Sequence, residues 1–248
     1  MIGSIEQTLL SIAFAAVAVA YAAVGQGGAT GYIAVMALAG FTPDVIRPTA
    51  LILNVLVSAI GTAQFARAGL LEWRTFYPYA LLGVPCSVLG GATHLPAYIY
   101  QPVVGALLLL AAWRIARSAH HATTDEVTNP PPLMLSTMAG AIVGFVAGIT
   151  GIGGGILLAP LILARGWATA RQTVAISAAF NLLNTAAALA GLWGTAPVFQ
   201  APPSLWLLAV ICGGSLGSWL SVRGLPTWAV RYALAALLLV AGARMLVP

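Results

Sequence analysis

Two glycine clusters are the residues of this sequence best suited to chemistry. Gly25-Gln26-Gly27-Gly28 and Gly151-Ile152-Gly153-Gly154-Gly155 each interrupt a long apolar stretch. A helix that starts after such a break has N–H groups without intrahelical partners. Its macrodipole places about half a positive charge at that end. Glycine lets the chain turn tightly and lets a ligand approach those N–H groups. Two such ends facing each other form a site for a small anion, built from backbone alone. Asn54 and Asn181 follow the clusters at comparable distances, and their amides can donate to an oxyanion. Gln26, Thr30, Thr49, Thr150 and Ser177 are near in sequence and can donate too. The competing reading is structural: Asn, Ser and Thr bond helices to one another, and glycine turns let helices pack closely. The candidate binding set is Gly25, Gln26, Gly27, Gly28, Asn54, Gly151, Gly153, Gly154, Gly155, Ser177 and Asn181.

The elements that position these residues follow from composition. Of 248 residues, 60% are hydrophobic and only 6% are charged: ten Arg, five acids and no Lys. A water-soluble domain carries about 25% charged residues. A soluble enzyme, a disordered chain and a nucleic-acid binder that folds in water are therefore excluded. The solvent for most of the chain is a lipid bilayer. Positions 7–43, 48–66, 75–113, 127–164 and 172–222 carry no formal charge, and a last apolar stretch covers Trp228–Val247. Divided at about 20 residues per span, these runs give ten hydrophobic segments. Backbone polar groups must be satisfied within each segment, so the segments are helices, and no barrel-type alternation is present. Two segments are too short to span. About nine residues separate Gly155 from Arg165, and about a dozen separate Gly28 from the Phe41–Asp44 turn. Both read as half-helices or strongly tilted helices that re-enter the membrane.

The chain also repeats itself. Gly25, Gly27 and Gly28 recur 126 residues later as Gly151, Gly153 and Gly154. Asn54 recurs as Asn181 and Leu89-Gly90 as Leu216-Gly217, both at 127. Leu95-Pro96 recurs as Leu225-Pro226 at 130, the offset that also relates Trp113-Arg114 to Ala243-Arg244. The expected organisation is a first repeat over 1–117, a polar linker over 118–132 and a second repeat over 133–248. With five segments each, the halves enter the bilayer with opposite orientation. Arg67, Arg74, Arg114, Arg117, Arg165, Arg171, Arg223 and Arg231 then share one side, against Arg47 and Arg244 on the other. The positive-inside rule makes the arginine-rich side cytoplasmic and both termini extracytoplasmic, in a bacterial-type inner membrane. Trp73, Tyr77, Tyr79, Tyr98, Tyr100, Trp206 and Trp228 lie near expected span ends, as interfacial anchors do. The first segment lacks the positive n-region of a cleaved leader.

Other features read as structural. Gly140, Gly144 and Gly148 form a helix-packing stripe, as do the small residues around Gly213–Gly217. Such faces pack within one protomer or in a homodimer. Cys86 and Cys212 are small packing residues. No metal-ligand spacing is present, and no cofactor is expected. Arg47 and Arg171 precede matching segments; they read as topological, snorkelling charges or as entrance charges for an anion. His94 sits at a segment corner. Ser215 or Ser218 with His94 is the one conceivable nucleophile–base pair, and nothing in the spacing recommends it.

Taken together, these residues resemble the sulfite exporter TauE/SafE family, also called the toluene sulfonate uptake permease family. The resemblance runs from about Ser11 to Leu246 and is most specific at Gly148–Pro160, GITGIGGGILLAP. The first half departs from the pattern at Gly25–Gly28, with Gln26 and Ala29 in a shorter glycine run, and Ile176-Ser177 replaces an expected Thr-Ser. The resemblance implies a transporter of small sulfur-containing anions such as sulfite, thiosulfate or organosulfonates, not an enzyme. The expected fold is an all-α integral membrane protein of two inverted-topology repeats, with Gly-interrupted short segments meeting near the midplane. An anion channel and a membrane scaffold subunit are the alternatives.

Overall fold

The computed structural model describes residues 4–118, 132–194, 202–223 and 228–246. It is all helical over those residues, with ten helices in the places expected: α1 (Ser4–Ala22), α2 (Ala29–Leu38), α3 (Pro43–Arg67), α4 (Trp73–Ala92), α5 (Ala97–Ser118), α6 (Leu133–Thr150), α7 (Gly155–Ala164), α8 (Ala170–Trp193), α9 (Ser204–Val222) and α10 (Trp228–Leu246). Most of the expected linker, at 119–131, and the Leu225-Pro226 landmark lie outside the described residues.

Among the described residues, six helices, α1, α3, α5, α6, α8 and α9, are long and apolar enough to cross a membrane. The first two turns of α4 hold Trp73, Arg74, Thr75, Tyr77 and Tyr79, which make it less apolar despite its 20 residues. Helices α2 and α7 have ten residues each. At 1.5 Å per residue each reaches about 15 Å, roughly half of a ~30 Å hydrocarbon core.

Local signals explain the helix boundaries. Pro43 opens α3, where its missing N–H is harmless. Thr169 and Gln172 form a reciprocal capping box at the start of α8. Gly151, at φ 77°, closes α6 in the left-handed region that only glycine enters cheaply.

Helices α3 and α8 are the centre of the molecule. Half of the α3 span and 67% of the α8 span are buried, against 33–39% for the other four spanning helices. Around them α4 packs on α6, α1 on α9, and α5 on α10. The glycine stripes make these contacts, as their spacing predicts. A Cβ on Gly140 or Gly144 would overlap the carbonyl oxygen of Tyr79 or Gly83 across in α4, and one on Gly213 or Gly217 that of Ala15 or Val19 in α1. Lipid offers no hydrophobic drive between helices, so close backbone approach carries the packing. The outward faces stay apolar, for example Ile5, Leu9 and Ile12 on α1 and Met134, Met138 and Ile142 on α6.

Three of the expected interfacial aromatics are core residues instead. Tyr79 is fully buried in the cluster under α4, α6 and α8. Trp206 packs edge-on against Phe14, with ring centroids 4.9 Å apart. Tyr100 is buried, and its hydroxyl donates to the Thr150 carbonyl at the end of α6, 3.0 Å away. Trp73, Tyr77 and Tyr98 are exposed, as interfacial residues are; the Trp228 side chain lies outside the described set.

Candidate functional site

The two glycine breaks meet at the centre of the bundle, against α3 and α8. Between α1 and α2, Gly25 and Gly28 hold φ values of 72° and 96°. Between α6 and α7, Gly151 and Gly153 hold 77° and 81°. Positive φ at these positions bars other residue types without strain. Space is equally tight. A Cβ on Gly27 would overlap Asn54 Oδ1 and Ser58 Oγ, and one on Gly153 would overlap Asn181 Oδ1. The glycines are thus required by the amides that lie against them.

Those amides form a reciprocal network. Asn54 donates to Thr185 Oγ1 at 2.7 Å, and Asn181 donates to Ser58 Oγ at 2.8 Å. Asn181 Nδ2 also donates to Asn54 Oδ1 at 3.3 Å. The pairs Asn54/Asn181 and Ser58/Thr185 are both separated by 127 residues, so each half gives one donor to the other half's hydroxyl. Ser58 and Thr185 were legible from that shared offset and are additions to the sequence-based set.

The two breaks differ in how their half-helices begin. The first N–H of α2, on Ala29, donates to Asn54 Oδ1 at 3.0 Å. Helix α7 begins after Gly154, and no side chain among the described residues accepts from its first N–H groups. Above Gly154 lie Phe180 and the amide of Asn184, whose Nδ2 is 2.8 Å from where a Cβ would stand. Asn184 is 1% exposed, and neither atom of its amide has a hydrogen-bond partner among the described residues. Gly154→Val therefore strikes packed side chains. Gln26 Oε1 and the fully buried Ser177 Oγ likewise have no partner among the described residues. The hydroxyl of Thr30 donates to Tyr21 Oη at 2.7 Å and that of Thr150 to the Val146 carbonyl at 2.6 Å, so neither is a free donor.

Arg47 is neither a snorkelling charge nor an entrance charge. It is 6% exposed. Its Nη2 lies 2.8 Å from the carbonyls of Gly90, Gly91 and Gly148, and its Nη1 donates to Thr93 at 2.9 Å. These carbonyls belong to the ends of α4 and α6, where acceptors are short of intrahelical partners and the dipole is negative; of the four, Gly90 also accepts from the Thr93 N–H. Two helix ends thus neutralise the guanidinium in place of a carboxylate. The arginine stem lies against Gly151, at the start of the second break. Arg171 is exposed, so the two arginines lie near the starts of matching helices but in different surroundings. Arg47 is the one buried formal charge among the described residues. His94 is exposed, and Ser215 Oγ donates to Ile211 in its own helix, 2.7 Å away.

The helices, the interior built from glycine and amide, and the apolar exterior define an integral membrane protein. The chain belongs to the sulfite exporter TauE/SafE family, whose model matches residues 9–245. It is a membrane transporter, and not an enzyme. It is 50% identical over 242 residues to a probable membrane transporter protein, y4hK, of Sinorhizobium fredii strain NGR234, covering 96% of this chain and 97% of that one. It is 27% identical over 241 residues to a probable membrane transporter protein, YjnA, of Bacillus subtilis strain 168, covering 90% and 92%. No solved structure matches it.

Proposed function

We propose that this transporter carries a small sulfur-containing oxyanion, of the sulfite, thiosulfate or organosulfonate type, by alternating access about a midplane site. One observation carries the sign of the substrate. The buried formal charge beside the glycine breaks is a cation, and Glu6, Asp44 and Glu72 are all exposed. Half-helix N-termini add partial positive charge at the same level. The ligand that complements such a site is an anion with several acceptor oxygens. Sulfur is the family's contribution to this reading.

Alternating access rests on the relation between the halves. The helix pairs α4 on α6 and α1 on α9 exchange when the first five helices are matched with the last five, and the Asn54/Asn181 network is reciprocal in the same sense. Inverted repeats with re-entrant α2 and α7 account for both. The orientation follows the arginines. Residues placed on one side by the expected topology also meet: Arg244 donates to the Leu38 carbonyl at the end of α2, and Gln172 donates to Glu72 at 3.3 Å. The arginine-rich side is cytoplasmic, in a bacterial-type inner membrane.

The test is flux in proteoliposomes loaded with radiolabelled sulfite, thiosulfate or a small sulfonate. A carrier gives saturable uptake, accelerated by the same anion on the opposite side. Linear flux without exchange favours a channel, and no flux for any of these anions sinks the substrate class.

A further inference from the structure

Building on the anion-carrier reading, we infer that the substrate site is one-sided: the anion binds at the α7 break, held by the N–H groups that open α7 and by the Asn184 amide. The α2 break is its structural counterpart, closed by the protein itself.

The argument rests on how the two breaks are completed. At α2, Asn54 Oδ1 already accepts from Ala29 N–H. An anion there would have to displace an amide that also holds Thr185 and Asn181. At α7 no side chain among the described residues accepts from the opening N–H groups in the way Asn54 does at α2, and an unpartnered amide nitrogen stands over the N-cap glycine. A buried amide with both atoms unpaired is costly to a folded protein. It is explained if its partner is a ligand rather than a residue.

Comparison at the offset of 127 sharpens the difference. Asn184 corresponds to Val57, and Arg47 corresponds to Val174. Contacts follow the same correspondence: Gly151 lies against Arg47 as Gly25 lies against Val174. In both of these pairs the polar residue belongs to the α7 break; Gln26, whose counterpart at the offset of 126 is Ile152, is the polar residue on the α2 side. Arg47 touches the start of that break and supplies a fixed positive field. Its Nη groups are occupied by carbonyls, so it is a positioning charge and not a contact. Asn184 supplies the contact. The ligand chemistry is a compact oxyanion with at least two acceptor oxygens, one for the α7 N–H groups and one for the amide.

The experiment is a thermal-unfolding titration in detergent with sulfite, thiosulfate and methanesulfonate, on the wild-type chain and on Asn184→Val, Asn184→Ala and Gln26→Leu. A ligand bound to the folded state raises the unfolding temperature with concentration. We expect Asn184→Val and Asn184→Ala to weaken the anion by about tenfold or more, and Gln26→Leu by clearly less. We also expect the anion-free Asn184 variants to unfold at or above the wild-type temperature, because an unpartnered polar group has been removed. A purely structural amide would give the opposite pair of results: lower anion-free stability and unchanged anion affinity. That outcome, loss of folding in both Asn184 variants, or a larger affinity loss at Gln26 overturns the one-sided site and leaves the carrier reading standing. Absence of stabilisation of the wild-type chain by all three anions overturns the carrier reading and this inference with it.

Discussion

Asn54 accepts from Ala29 and Asn181 while donating to Thr185, so one side chain ties α2, α3 and α8 together. Asn54→Ala removes a helix cap and a buried network at once. It is expected to lower stability in detergent by about 1–3 kcal/mol, more than Asn181→Ala does. A double-mutant cycle on the two should show a coupling of about 0.5–3 kcal/mol, since they share a hydrogen bond. Additive losses would deny the contact. Arg47→Ala takes the donor away from four helix-end carbonyls, and a loss of at least about 1–3 kcal/mol is expected from buried acceptors left unpaired. Arg47→Lys should recover only part of it, because an ammonium cannot span four acceptors as a planar fork does. Thermal unfolding checks both. At this scale the sequence was partly legible. The glycines, Asn54 and Asn181 are unusual enough in apolar segments to be singled out. Arg47 was not read correctly, because a cation after a turn looks the same whether it faces lipid headgroups or two helix ends. Asn184 was missed for a similar reason: an isolated Asn in a membrane helix is indistinguishable from one that binds a neighbouring helix.

The helices themselves were legible because charge gaps, glycine clusters and proline corners mark their ends. Ten segments were expected and ten helices are observed, with α2 and α7 short as their spacing requires. The packing partners were not legible beyond the stripes, since a glycine face does not specify which helix it meets. The stripe on α6 is tested by Gly144→Ala. Its Cβ would overlap the Gly83 carbonyl, a backbone atom that moves only if α4 moves. Overpacking of this kind costs about 1–3 kcal/mol or more. Gly69 offers the contrast: it has φ 70° and open space around it. Gly69→Ala should cost only the left-handed strain of about 1–2 kcal/mol. Equal unfolding temperatures for Gly144→Ala and the wild type would mean that α4 and α6 are not held at backbone distance.

For the whole molecule, the arginine distribution predicts which loops a reagent can reach. Thr42, before α3, and Ala68, after it, are both exposed. With Cys86 and Cys212 replaced by Ser, Thr42→Cys should react with a membrane-impermeant maleimide on intact cells, and Ala68→Cys only after the membrane is opened. The reverse pattern would invert the orientation. Exposed arginines on the arginine-rich side stack on neighbouring indoles, as Arg223 does on Trp219 at 3.9 Å and Arg117 on Trp113 at 5.0 Å. Such pairs fit a headgroup belt. The clasp formed by Arg47 also bears on biogenesis. Its acceptors at Gly90 and Gly91 lie 43 and 44 residues downstream, and the last one, Gly148, lies 101 residues downstream. A ribosome adding about 5–20 residues per second delivers Gly148 on the order of 5–20 s after Arg47. Until Gly90, Gly91 and Thr93 have been made the guanidinium needs water, lipid phosphate or the insertion machinery as its partner, and after that it lacks only the Gly148 carbonyl. The clasp is therefore complete only once α6 has been made, which ties the last contact of a first-half residue to the arrival of the second half.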